Sequence, residues 1–277
     1  MTIVVSCILS DGVILGTDSA ITVPAPDGKA AKVYENAEKL FQLGDLPIGI
    51  ATFGLAGMGT RSVGSYLREF EVRNPNKVLT KSEKLEDIVE ALRSFLLEIY
   101  TGTIMKNIEV QGNKFEDIPI EKRPFLGFIV GGFSKNEYLP EVWEIVIPHN
   151  GTIGSCKQLR ARGQFGTNWF ALFGPIQRYM SGIDTELYNE LMTYFAILRG
   201  VPFSEEELKQ ISAIIQKHEN QIPYWAMSIR EGIDHTRFLI DLVISHYRFA
   251  LGDPVVGGKA QLGKVTYKGE KFEILNA

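Results

Sequence analysis

Cysteine is nearly absent from this chain. Only Cys7 and Cys156 occur, and neither belongs to a C-x-x-C pair. That excludes a disulfide framework and a structural zinc site, and it fits a reducing cytoplasm. The histidines, His149, His218, His235 and His246, have no metal-ligand spacing. No basic stripe offsets the formal net charge of -4, so nucleic acid is a poor partner. No uninterrupted apolar window reaches the ~18 residues of a membrane span. The N-terminus has no basic stretch before its apolar run, and Asp11 breaks that run early, which speaks against a signal peptide. Linkers, low-complexity runs and internal repeats are also missing. What remains is 277 residues, 45% of them hydrophobic, enough chain for a large core.

The opening stretch is the most informative. Thr2 to Leu9 is apolar and β-branched, Ser10-Asp11-Gly12 is turn chemistry, and Val13 to Asp18 is apolar again, so the spacing predicts a β-hairpin. A loop is expected from Ala20 to Lys32. A second hairpin follows, Glu38 to Leu43 and Ile48 to Phe53 about the turn at Gly44-Asp45-Leu46-Pro47, in one antiparallel sheet with the first.

Two helices are expected next, about Thr60 to Glu71 and from Thr80 onward. The second opens on the capping-box pattern Thr80-Lys81-Ser82-Glu83, and its apolar residues from Leu85 to Ile99 keep a helical period. Lys106 to Arg123 reads as a polar loop. Strands are expected at Phe125–Val130, Glu141–Val146 and Thr152–Leu159, with His149-Asn150-Gly151 turning between the last two. An irregular stretch, Arg160 to Phe173, comes before a helix opened by Gly174-Pro175. Glu186 to Leu251 reads as largely helical, broken near Gly200 and Pro223, and a last hairpin spans Ala260–Thr266 and Lys271–Leu275 about Lys268-Gly269. This order fits an α+β fold: a four-layer αββα sandwich of two antiparallel sheets flanked by helices. It is expected as a single domain over 1–277, with a helical insertion near 199–225.

Four segments resemble the opening of proteasome β-subunits and of the peptidase subunit of the bacterial heat-shock-type protease. They are Thr2-Ile3-Val4, Asp11 to Asp18, Asn36 to Leu43, and Gly54-Leu55-Ala56-Gly57. Asp253-Pro254-Val255-Val256-Gly257-Gly258 is similar to a late segment of the same family, and together these motifs cover about a quarter of the chain. These relatives are N-terminal nucleophile (Ntn) hydrolases with an αββα sandwich. The resemblance implies that Thr2, freed by removal of Met1, is the nucleophile. It implies that Asp18 and Lys39 form the acid–lysine pair beside it, that the Gly54 N–H binds the oxyanion, and that Asp253 orients the terminal amine. Asp18 is followed by Ser19-Ala20, where proteasome subunits commonly have arginine. The family's turn before its third helix has two candidate counterparts, Gly163-Gln164-Phe165-Gly166 and Leu172-Phe173-Gly174-Pro175.

Elementary chemistry fits the same grouping. A free α-amine has a pKa near ~8 and can take a hydroxyl proton at neutral pH. A lysine beside it stabilises developing alkoxide, and an aspartate offsets the lysine's desolvation. Singly, Asp18 and Asp253 read as turn residues and Lys39 as a strand terminus. Gly54, Gly57 and Gly59 lack the G-x-G-x-x-G spacing of a dinucleotide loop.

The resulting expectation is a cytoplasmic, proteasome-like threonine protease or other amidohydrolase acting on a peptide or amide substrate, with no cofactor. As the relatives form rings, it is expected as a homo-oligomer, with an ATPase partner left open. The alternatives are a catalytically silent structural or regulatory subunit and a non-peptide amidase on the same fold.

Overall fold

The computed structural model describes residues 2–24, 30–74, 84–148, 154–251, 256–267, 269 and 271–275, with backbone only at 22–24, 30, 31 and 121. The first hairpin pairs β1 (Ile3–Leu9) with β2 (Gly12–Thr17). A two-stranded ribbon follows, β3 (Ile21–Pro24) and β4 (Ala30–Tyr34), where a loop is expected from sequence. The next hairpin is β5 (Leu40–Gln42) and β6 (Ile48–Gly54). A short ribbon, β7 (Gly57–Met58) and β8 (Arg61–Ser62), leads into α1 (Val63–Arg73), where the Ser62 hydroxyl caps the Ser65 N–H. The expected capping box at 80–83 lies outside the described residues; α2 spans Leu85–Tyr100. The polar stretch after it is not a plain loop. A π-helical turn (Thr101–Met105) runs into α3 (Lys106–Val110), and two 3₁₀ turns follow.

Strands β9 (Leu126–Gly132), β10 (Glu141–Ile147), β11 (Ser155–Arg160) and β12 (Gly166–Ala171) come next. The turn expected at 149–151 lies outside the described residues. Four helices follow: α4 (Gly174–Ser181), α5 (Thr185–Arg199), α6 (Glu205–Lys217) and α7 (Ile229–Phe249). The chain closes with the hairpin β13 (Gln261–Thr266) and β14 (Glu273–Leu275).

The strands form two five-stranded sheets, ordered β12-β1-β2-β13-β14 and β11-β10-β9-β6-β5, with every described pairing in them antiparallel. Val4, Ile8, Val13, Leu15, Ala51, Ile129 and Phe272 pack between the sheets. On the far side of one sheet, Phe128, Val130 and Ile145 meet Val89, Leu92 and Leu96 of α2. On the far side of the other, Ile3, Val5 and Leu262 meet Leu239, Ile240 and Val243 of α7, with Ile176 of α4. The fold is therefore α+β, in four layers αββα. Both faces of β1 are covered, so all seven of its residues are buried and its sequence reads as an unbroken apolar run. At roughly 1.5–3 kcal/mol per buried large aliphatic side chain, this double cover makes the hairpin a rigid base for what precedes it.

Two expectations are corrected. The two N-terminal hairpins lie in different sheets, because β1–β2 extends to β12 and β13 while β5–β6 extends to β9. The stretch Arg160 to Phe173 is not irregular throughout. Its Gly166–Ala171 is the strand that pairs with β1, Ile3 opposite Ala171. Its glycine and polar residues hid the alternation, but a central strand supplied the partner.

Candidate active site

Thr2 sits just before β1 and is 5% exposed. Its carbonyl accepts from the Leu172 N–H at 3.1 Å, which anchors the chain's start to the end of β12. Asp18 ends the hairpin. Continuing the β1–β2 register places it opposite Ile3, and the backbone agrees: the Asp18 N–H donates to the Ile3 carbonyl at 3.4 Å. The Asp18 side chain continues the ladder in place of backbone, accepting from the Ile3 N–H at 3.2 Å. It also accepts from the Ala20 N–H at 3.2 Å and the Gly257 N–H at 3.3 Å. A wholly buried carboxylate is tolerable only with such a set of donors, and a cation completes it.

That cation is Lys39, which stands before β5 in the other sheet and is 4% exposed. Its Nζ donates to Asp18 Oδ1 at 2.8 Å and to Thr2 Oγ1 at 2.7 Å. The pair thus bridges the two sheets, a consequence of the hairpins having separated. Backbone contacts hold the lysine's own position. The Lys39 N–H donates to Gln261 Oε1 at 3.2 Å, and the Thr52 N–H donates to the Lys39 carbonyl at 2.9 Å. Burial holds the Lys39 amine below its ordinary pKa, and Asp18 opposes that shift without cancelling it.

Gly54 closes β6 with φ +86°, a left-handed conformation that favours glycine. A Cβ there would lie 2.3 Å from the Phe125 carbonyl oxygen. Glycine at this position is therefore required by the fold's own backbone, in addition to any approach by a ligand. Gly54, Thr2 and Lys39 together line a cleft of about 820 Å³. Ile21, Phe41, Phe53, Leu55 and Val63 give it apolar walls, and Thr52 and Ser62 give it hydroxyls.

Of the residues singled out from sequence, the structure brings Thr2, Asp18, Lys39 and Gly54 together; Asp253 lies outside the described residues. The segment that follows it does reach the site, through the Gly257 N–H on Asp18. Sequence reading passed over Ser19. Its hydroxyl donates to the Glu35 carbonyl and accepts from the Lys259 N–H at 2.8 Å, while its carbonyl accepts from the Ala37 N–H at 2.8 Å. Ser19 thus ties the approach to Lys39 to the 257–259 segment. Gly258, at φ +71°, leaves room for it, since a Cβ there would lie 2.3 Å from the serine Oγ. The signal was a serine immediately after the acidic residue, within a motif that otherwise matched. Among the described residues no cluster of three or more histidines, cysteines or carboxylates could hold a metal ion. Nor is any described helix long and apolar enough to cross a membrane.

No family model matches the chain, and no curated protein does. Solved structures do. A mutant form of Anbu from Hyphomicrobium sp. strain MC1 aligns with a TM-score of 0.54 at 12% identity, over 100% of this chain and 85% of that one. A helical assembly of the Anbu complex from Pseudomonas aeruginosa aligns with a TM-score of 0.57 at 14% identity, over 99% and 86%. At these identities the likeness carries the fold alone, the sandwich of two antiparallel sheets between helices.

Proposed function

We propose that the chain is a threonine-type amidohydrolase of the N-terminal nucleophile kind, acting on peptide bonds after loss of Met1. The observation that carries this reading is the contact of the Lys39 Nζ, at 2.7 Å, with the Thr2 hydroxyl. The freed α-amine of Thr2 accepts the hydroxyl proton, and the Lys39 amine, donating to Oγ1, stabilises the alkoxide that develops there. Oγ1 then bonds to the substrate carbonyl carbon as the carbonyl electron pair moves onto its oxygen, and Asp18 holds the Lys39 amine in place at 2.8 Å. The Gly54 N–H serves the oxyanion, a donor worth about 3–4 kcal/mol in the best-studied precedent. The α-amine, now carrying the hydroxyl proton, passes it to the departing amine as the C–N bond breaks. Water then hydrolyses the threonyl ester and returns the proton balance to its start. The cleft volume lies within the range of small-molecule and peptide side-chain sites, and its walls suit an apolar side chain.

Thr2→Ala should abolish turnover of fluorogenic peptide amides, whereas Thr2→Ser should keep a measurable part of it. Full activity in Thr2→Ala would sink the assignment.

A second reading is a catalytically silent assembly subunit. Met1 precedes Thr2 in the encoded chain, and while it is attached the Thr2 nitrogen is an amide with no basic lone pair. In both readings the chain works as a homo-oligomer in the cytoplasm, in keeping with the assembly formed by the Pseudomonas aeruginosa neighbour.

A further inference from the structure

A second cleft, of about 590 Å³, adjoins the one that holds Thr2. The two share four lining residues, Glu38, Phe41, Gly64 and Arg68. Glu38 and Arg68 are exposed and stand at the rim. Gly64 is buried and Phe41 half-buried, so these two form the inner part of the shared wall. The strand's alternation puts the ring there: Leu40 faces the inter-sheet core, and Phe41 faces the opposite side, where α1 and α2 pack. Gly64 is the second residue of α1. A Cβ there would lie 2.7 Å from Cε1 of Phe41, so the ring rests against the helix backbone. Glycine costs a helix about 1 kcal/mol against alanine; here it gives the ring its seat. The two sides of the ring differ in chemistry. Towards Thr2 the walls are Phe53, Leu55 and Val63. Beyond the ring, Gln42 and Glu71 stand beside Leu67.

We propose that Phe41, seated on Gly64, closes the inner end of the Thr2 cleft and so sets how long a substrate side chain the cleft accepts. This rests on the peptide-bond reading above and names the residue that selects among its substrates. A short or medium apolar side chain ends before the ring. A longer one must push the ring off its seat or remain partly outside the cleft. Displacing the ring also opens the apolar cleft to the amide and carboxylate beyond it. The two rim charges, Glu38 and Arg68, are opposite in sign and favour neither an acidic nor a basic substrate side chain. Even one methylene in an apolar pocket is worth about 10–200-fold in discrimination, so loss of a whole ring should read out clearly.

The test compares wild type, Phe41→Ala and Phe41→Leu on fluorogenic peptide amides with leucine or 4-phenylphenylalanine before the cleaved bond. Circular dichroism checks that each variant is folded; Phe41→Leu keeps more of the buried volume and carries the test should Phe41→Ala unfold. The expected result is that Phe41→Ala raises kcat/KM for the long side chain relative to leucine at least about tenfold, with a smaller rise in Phe41→Leu. Ligand-observed NMR on Thr2→Ala protein, with and without each Phe41 substitution, reads the same preference as a ratio of Kd values and needs no turnover. A binding ratio that shifts as expected while the wild type turns nothing over would sink the hydrolase reading and leave Phe41 as the end of the cleft. A ratio unmoved in the folded variants would overturn the role of Phe41 whatever the chemistry at Thr2. Neither turnover nor binding of either peptide would overturn both.

Discussion

The hairpin β1–β2 and the helix α5 are similarly apolar in sequence and opposite in environment. Every residue of both strands is buried, between the second sheet on one side and α7 on the other. No residue of α5 is. In the hairpin the chain supplies its own cover, and the rigidity gained is used at its end, where Thr2 and Asp18 meet Lys39. In α5 the apolar residues stay partly or largely exposed within the chain. Apolar composition is common to both; only the tertiary arrangement decides which is covered.

The sharpest way to break this contrast is Asp18→Ala. It leaves the buried Lys39 amine and three backbone N–H groups without their acceptor, and should cost about 3–5 kcal/mol in chemical denaturation. A loss below ~1 kcal/mol would mean that the pair is not the buried knot described here. Leu15→Ala, in the inter-sheet core, should cost about 2–5 kcal/mol by the same measurement. Gly54→Ala meets both a positive φ and the Phe125 carbonyl, and should cost about 1–3 kcal/mol along with the proposed turnover of peptide amides.

A smaller effect is expected in the pH dependence. The folded-state pKa of Lys39 is lowered, so the unfolded chain binds more protons in the window between that value and 10.5. The lysine's destabilising contribution is fully present below its folded pKa and is relieved as pH rises towards 10.5. Relative to Lys39→Met, the wild type should therefore gain stability across that window; a flat difference would contradict the shift. The smallest effect is expected on α5. Leu198→Ala in protein diluted to its smallest species should change stability by no more than about 0.5 kcal/mol, and a core-sized loss would show that the helix is covered from within.

The nearness of Thr2 and Asp18 was legible from short-range geometry, whereas Lys39 and Gly54 were reached through the resemblance to proteasome β-subunits. A hairpin with turn chemistry at Ser10-Asp11-Gly12 places residues 2 and 18 side by side in any sheet, and that needed only period and turn residues. The partition of the hairpins between sheets was not legible, since β5–β6 reads the same whether it pairs with β2 or with β9. The strand at Gly166–Ala171 was missed for a related reason. Its stability comes from pairing with β1, far away in sequence, while Gly166, Thr167 and Asn168 give little local strand signal. The polar segment after α2 also formed helical turns, continuing directly from the C-terminal turn of α2. Ser19 was readable as a residue but not as a role, because its partners Glu35 and Lys259 are brought in by two separate segments.

The central claim is that Thr2 is a live nucleophile held by Lys39. Intact mass spectrometry of protein purified from its native host, before and after an electrophile that captures N-terminal threonine, tests it most directly. The account predicts loss of Met1 and a single adduct mapping to Thr2, absent in Lys39→Met. Retained Met1 with no adduct would contradict it and leave the silent assembly subunit as the better description.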